Sequence, residues 1–84
     1  MLSKNIVIKI ANGLEARPVA LLVQVASRYE SNIYVEADNK RVNAKSIMGM
    51  MSMGLQSGDE VKIIAVGEDE EVAMENIEKY LMGN

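Results

Sequence analysis

The chain has 84 residues, 49% of them hydrophobic and 25% charged, which is enough for one small globular domain with its own core. We expect residues 1–84 to form a single domain in the cytoplasm, because no apolar run could span a membrane and no signal peptide is visible. The absence of cysteine and histidine excludes disulfides, thiolate metal sites and histidine chemistry, so no metal or cofactor is expected. The net charge of −3 argues against nucleic acid as a direct partner.

The charge is unevenly distributed along the chain. Residues 1–57 contain seven Lys or Arg and four Asp or Glu, a net +3, whereas residues 58–84 contain two and eight, a net −6, and the two sum to −3. The basic first part therefore suits an acidic partner or a phosphate.

The chain opens with a predicted strand and a predicted helix. Ser3 to Ile10 alternates apolar and polar residues, which is typical of a half-buried strand. A helix is predicted from Leu14 to Tyr29, starting near Glu15 or Ala16, because Pro18 is tolerated only in a first turn. Its inward stripe comprises Val19, Leu22, Val23 and Ala26.

A hairpin, a further strand and a last helix are predicted from the rest of the chain. Asp38-Asn39 tolerates left-handed backbone geometry and predicts a tight turn between strands at 33–37 and 40–43. The strand at 60–66 is rich in Val and Ile with little alternation, so we expect it in the centre of the sheet. The acidic run at 68–71 indicates a solvated, well-capped helix start.

A short helix is predicted after Ser46, whose hydroxyl is a good N-cap. Positions 47, 50 and 53/54 fall on one flank and positions 48, 51 and 55 on another, so one flank packs inward and some methionines face water. A phosphate on Ser46 would lie at a helix N-terminus beside an apolar patch. The alternative is that Ser46 is only a cap and the methionines only core.

The element order β-α-β-β-α-β-α predicts an α+β fold. The economical architecture is a four-stranded antiparallel sheet with the helices packed on one face. The two long helices should cover the sheet, and the short helix should close its edge.

A second motif, Gly13-Leu14-Glu15-Ala16-Arg17-Pro18, opens the first helix. Free backbone N–H groups and the Arg17 guanidinium converge there, so Ala16 and Arg17 predict a phosphate-binding nest. A nucleophile at position 15 would lie over the nest, and the residue there is glutamate.

The two motifs, G-L-x-A-R-P and N-A-K-S-I-M-G (43–49), together resemble the HPr family of the bacterial sugar phosphotransferase system, over essentially the whole chain. The resemblance implies an open-faced β-sandwich. It also implies that position 15 is the carrier position, where the family has a histidine that receives a phosphoryl group from Enzyme I. Arg17 matches the arginine that steadies this phosphate, and Ser46 matches the serine phosphorylated by HPr kinase/phosphorylase.

Glu15 departs from the family pattern, because phosphohistidine transfer needs an imidazole. Loss of the histidine with retention of the serine motif is similar to regulatory members of the family, which are corepressors of the transcription factor CcpA and not enzymes. The resemblance then implies a regulatory role in carbon catabolite repression. The expected partner-binding residues are Arg17, Ala20, Leu21, Gln24, Lys45, Ser46, Ile47, Met48, Met51 and Gly54.

Other interpretations remain open on the sequence. The chain could be an HPr-type phosphocarrier with Enzyme I as partner, in which Glu15 replaces the histidine naturally or by engineering. Glu15 could also only pair with Arg17 and complement the helix dipole, which we favour. A small ferredoxin-like enzyme such as an acylphosphatase is disfavoured, since the nest has no paired catalytic group. The sequence leaves oligomeric state and strand swapping undecided.

Overall fold

The computed structural model of the chain describes residues 1–10 and 16–83, without the side chains of residues 16 and 17. Within these residues the order is βαββαβα, as predicted. The elements are β1 (Leu2–Val7), α1 (Ala16–Ser27), β2 (Asn32–Ala37), β3 (Lys40–Asn43), α2 (Ile47–Ser52), β4 (Glu60–Val66) and α3 (Glu70–Leu81).

The four strands form one antiparallel sheet in the order β1-β4-β2-β3. β4 is therefore central, as its apolar composition predicted, and β1 and β3 are the edges. Asp38 and Asn39 form the tight turn between β2 and β3 with φ values of 50° and 65°. The predicted α+β fold is confirmed.

The core lies between one face of the sheet and the helices. Alternate residues of the strands, such as Ile33 and Ile63, are fully buried there, and the inward stripes of α1 and α3 pack against them. The other face of the sheet carries the polar members of the same strands, including a cross-strand row formed by Asn5, Lys62 and Glu36. This distribution is that of an open-faced sandwich.

Two predicted element ends are wrong by two or three residues. β1 ends at Val7 because the next two amides leave β4: the N–H of Ile8 donates to Asp59 O at 2.9 Å, and the N–H of Lys9 donates to Leu81 O at 2.8 Å. α1 ends at Ser27 because its last turn tightens, with the Tyr29 N–H donating to the carbonyl three residues earlier, on Ala26, at 3.3 Å.

Leu55 was predicted on the same flank as Met48 and Met51, and this assignment is wrong. α2 ends at Ser52, and Gly54 adopts a positive φ of 61° that turns the chain. Leu55 is consequently no longer in helical register, and its side chain enters the core with only 5% exposed.

The acidic run at the start of α3 is more than a solvated helix start. Asp69 is the N-cap residue but its side chain makes no bond to its own helix. Its carboxylate instead accepts the backbone N–H groups of Glu30 and Ser31, both at 2.9 Å, and the hydroxyl of Ser31. Asp69 therefore ties the segment between α1 and β2 to the segment between β4 and α3.

We call these three hydrogen bonds of the Asp69 carboxylate the clamp, and they predict an acid-sensitive contribution to stability. The hydrogen bonds from Ser31 and Glu30, the Ser31 hydroxyl above all, hold the pKa of Asp69 below its ordinary value of 3.8. A group whose pKa is lower in the folded state stabilises the fold above its unfolded pKa, and this contribution is lost as the pH falls through the folded pKa. We expect the free energy of unfolding to decrease across that window in urea titrations.

Asp69→Asn is the matched variant, because the amide keeps the shape but its NH₂ group faces one of the donors. The variant should be less stable at neutral pH and should lose less stability than the parent on acidification. If the free energy of unfolding decreased equally on acidification in the two proteins, the assignment of this titration to Asp69 would be contradicted.

Candidate functional site

Ser46 immediately precedes α2 and is its N-cap, as predicted. Its backbone is extended, with φ −105° and ψ 111°. Its hydroxyl oxygen accepts the N–H of Gly49 at 3.2 Å, and its carbonyl oxygen accepts the N–H of Met50 at 2.9 Å. The Ser46 side chain is exposed, so its hydroxyl caps the helix and is still within reach of solvent.

α2 is fixed to the fold by its opposite side. Met50 is 1% exposed and belongs to the core, as does Ala44 just before the helix. Gly49 lies close against the sheet edge, because a Cβ atom there would lie 3.5 Å from the Cβ of Val42 on β3. The short helix thus packs against β3, the edge strand, and contacts α1; that it closes the edge of the sheet remains a prediction.

Four large apolar side chains on α1 and α2 remain exposed. Their exposed fractions are 45% for Leu21, 43% for Ile47, 80% for Met48 and 50% for Met51. We call this set the apolar patch. A patch of this kind on a small protein is typical of a surface that binds another macromolecule.

The other predicted partner-binding residues differ in accessibility. Gln24 and Gly54 are exposed, and Ala20 is half-buried. Lys45 is also half-buried, and its ammonium donates at 2.6 Å to the backbone oxygen of Tyr29, just beyond α1. The hydroxyl of Tyr29 in turn accepts the amide of Asn76 on α3 at 2.6 Å. Lys45 therefore links the segment before α2 to Tyr29, which follows α1 and contacts α3. Its sequence context did not predict this role.

The Gly13–Pro18 motif lies largely outside the described residues. This is the case for Glu15, the carrier position, and for the side chains of Ala16 and Arg17, although the backbone of both residues is in the first turn of α1. The phosphate nest and the Glu15–Arg17 pair remain predictions.

The described parts of the chain contain neither a cluster of metal ligands nor a membrane-spanning helix. Across residues 1–10 and 16–83, no group of three or more acidic side chains is placed to hold a metal ion. None of the helices formed by these residues has the length and apolarity needed to cross a membrane.

Comparison with known proteins gives the family. The family model described as the PTS HPr component phosphorylation site matches residues 2–82. The HPr-like protein Crh of Bacillus subtilis (strain 168) is 47% identical over 81 residues, covering 96% of this chain and 95% of the relative. The phosphocarrier protein HPr of Treponema pallidum (strain Nichols) is 49% identical over 67 residues, covering 80% and 76%.

A solved structure agrees with these relatives. The crystal structure of a phosphocarrier protein HPr from Bacillus anthracis str. Ames superposes with a TM-score of 0.93 at 44% identity, over 95% of each chain. The proteins of this family are phosphocarriers and regulators, which confirms that the chain is not an enzyme. With the sequence match, the fold and the serine motif in agreement, the chain belongs to the HPr family.

Proposed function

We propose that this chain is a regulatory protein of carbon catabolite repression. It is phosphorylated on Ser46 by an HPr kinase/phosphorylase and then acts as corepressor of a CcpA-type transcription factor. The observation that supports this most is the exposed Ser46 hydroxyl at the start of a helix that carries three of the four side chains of the apolar patch. Similarity to the HPr-like protein Crh of Bacillus subtilis points in the same direction.

The geometry of Ser46 favours a phosphate that remains at the N-terminus of α2 after its transfer to the hydroxyl. The Gly49 N–H that now donates to the hydroxyl is one of the orphan donors of the first helical turn, and it can donate to a phosphate oxygen instead. The phosphate adds about two negative charges beside the apolar patch. A partner with basic side chains next to an apolar pocket would then recognise both features together.

The absence of histidine argues against the carrier function that the family name implies. Glu15 could accept a phosphoryl group only as an acyl phosphate, which is a different and more labile species. Enzyme I with phosphoenolpyruvate tests this carrier alternative directly.

Replacement of Ser46 should abolish repressor binding without unfolding the protein. We expect one phosphate, mapped to Ser46, after incubation with ATP, magnesium and HPr kinase/phosphorylase, and none after incubation with phosphoenolpyruvate and Enzyme I. Ser46→Asn keeps an N-cap acceptor, so its stability should stay within about 0.5 kcal/mol of the parent, but it cannot carry the phosphate. Intact mass and binding to a CcpA-type repressor are measured together.

Ser52→Ala is the matched control, because Ser52 is an exposed serine of the same helix whose hydroxyl donates to Gly49 O at 2.6 Å. It should be phosphorylated and bind the repressor like the parent. If kinase-treated Ser46→Asn bound the repressor as tightly as the parent, the proposal would be wrong. A phosphate acquired from Enzyme I would support the alternative that the chain is an HPr-type phosphocarrier.

A further inference from the structure

The methionines of this chain differ widely in exposure. The chain has seven methionines and no cysteine, so they hold all of its sulphur. Met48 is 80% and Met51 50% exposed, whereas Met50 on the same helix is 1% exposed and Met74 on α3 is 5% exposed. Outside α2, Met1 is 78% exposed.

The two exposed methionine side chains of α2 belong to the apolar patch. Met48 and Met51 are three positions apart on the helix, so their side chains are neighbours, and both follow Ser46 closely. Neither side chain belongs to the buried core, unlike that of Met50 between them. Oxidation of methionine follows exposure, so these two should react before the buried methionines.

We infer that Met48 and Met51 form a peroxide-sensitive modification site that controls docking on the apolar patch. In the reaction the sulphur lone pair attacks one oxygen of a hydroperoxide, the O–O bond breaks and an S=O bond forms. Sulphur is oxidised by two electrons, and the peroxide is reduced to water or an alcohol. Methionine sulfoxide reductase reverses the change with two thiols, which form a disulfide, while the sulfoxide oxygen leaves as water.

The consequence for partner binding rests on the function proposed above. A sulfoxide is a polar acceptor, and an apolar pocket offers it no donor, so docking would bury an unsatisfied oxygen. The fold should be unaffected while Met50 stays reduced, because the oxidised side chains do not support the core. We expect the phosphorylated protein to lose about tenfold or more in repressor affinity on oxidation.

Limited treatment of the whole chain with hydrogen peroxide tests the site without any partner. Peptide mapping should show oxidation of Met48 and Met51 well before Met50 and Met74. Retention on a hydrophobic-interaction column should fall in step, because the apolar patch becomes polar. Oxidation of Met50 or Met74 as fast as Met48, or unchanged retention, would overturn the modification site.

The Met48→Leu/Met51→Leu double variant is the matched control. It keeps an apolar patch and good helix formers but has no sulphur there, while Met1 remains oxidisable. Each protein is phosphorylated and compared with its own untreated form for repressor binding. Peroxide should weaken the parent and leave the double variant at its own starting affinity, and sulfoxide reductase should restore the parent.

Equal peroxide-induced losses in the parent and the double variant would overturn the inference, since oxidation elsewhere would then explain them. Failure of the proposed function looks different: the untreated phosphorylated parent would not bind the repressor at all. The peptide maps and the column would still decide whether the modification site exists.

Discussion

Met50→Ala is expected to lower the free energy of unfolding by roughly 2–5 kcal/mol and to weaken repressor binding as well. Met50 is 1% exposed, so truncation leaves a cavity in the core. α2 has only six residues, and a helix of that length is not stable without tertiary packing. Loss of its buried anchor should therefore loosen both the Ser46 cap and the apolar patch that the helix presents.

The matched control is Met51→Ala, one position along the same helix. Met51 is half exposed, so its truncation should change stability by no more than about 0.5 kcal/mol while removing part of the apolar patch. Met50→Leu keeps the volume and should cost less than about 1.5 kcal/mol. Urea unfolding of the three variants measures these differences. Similar losses for Met50→Ala and Met51→Ala would contradict the assignment of Met50 as the anchor of α2.

The sequence predicted the fold well where one residue pattern decides the structure. Alternation predicted β1, and the Val- and Ile-rich run predicted that β4 lies inside the sheet. The turn at Asp38-Asn39 and the cap at Ser46 depend on the chemistry of one or two residues, and both were predicted correctly.

The sequence failed where distant segments decide the structure. The side chain of Asp69 accepts hydrogen bonds from Glu30 and Ser31, which lie 39 and 38 positions earlier in the sequence. Its local context therefore indicated only a helix start. Lys45 likewise bonds to Tyr29 on another element, which no spacing rule connects with Ser46. Leu55 was misplaced because helical periodicity was continued past the end of α2.

The candidate site shows the same division. The exposure of Leu21 and Met48 followed from helical spacing and from the family resemblance together. The partner-binding role of the apolar patch remains a prediction. Glu15 and the Arg17 side chain lie outside the described residues, so the carrier position rests on the motif alone.

Gly67→Ala is expected to cost about 3 kcal/mol or more in free energy of unfolding. Gly67 follows β4 with a φ of 156°, and a Cβ atom there would lie 2.5 Å from the hydroxyl oxygen of Ser31 and 2.7 Å from its Cα atom. Ser31 cannot easily yield, because it is 1% exposed and is held by the carboxylate of Asp69. The methyl group must therefore displace backbone and disrupt the clamp between the two segments.

Gly58→Ala separates this overlap from the cost of backbone conformation. Gly58 also has a positive φ, 95°, but a Cβ atom there would have no atom within 4 Å. Its replacement should therefore cost only about 1–2 kcal/mol. Urea unfolding at neutral and acidic pH distinguishes the two variants: Gly67→Ala should also lose part of the acid dependence that comes from Asp69, because Ser31 is displaced, whereas Gly58→Ala should retain it. Equal losses in the two variants, with unchanged acid dependence in both, would show that Gly67 is needed only for its φ value and that the packing against Ser31 adds nothing.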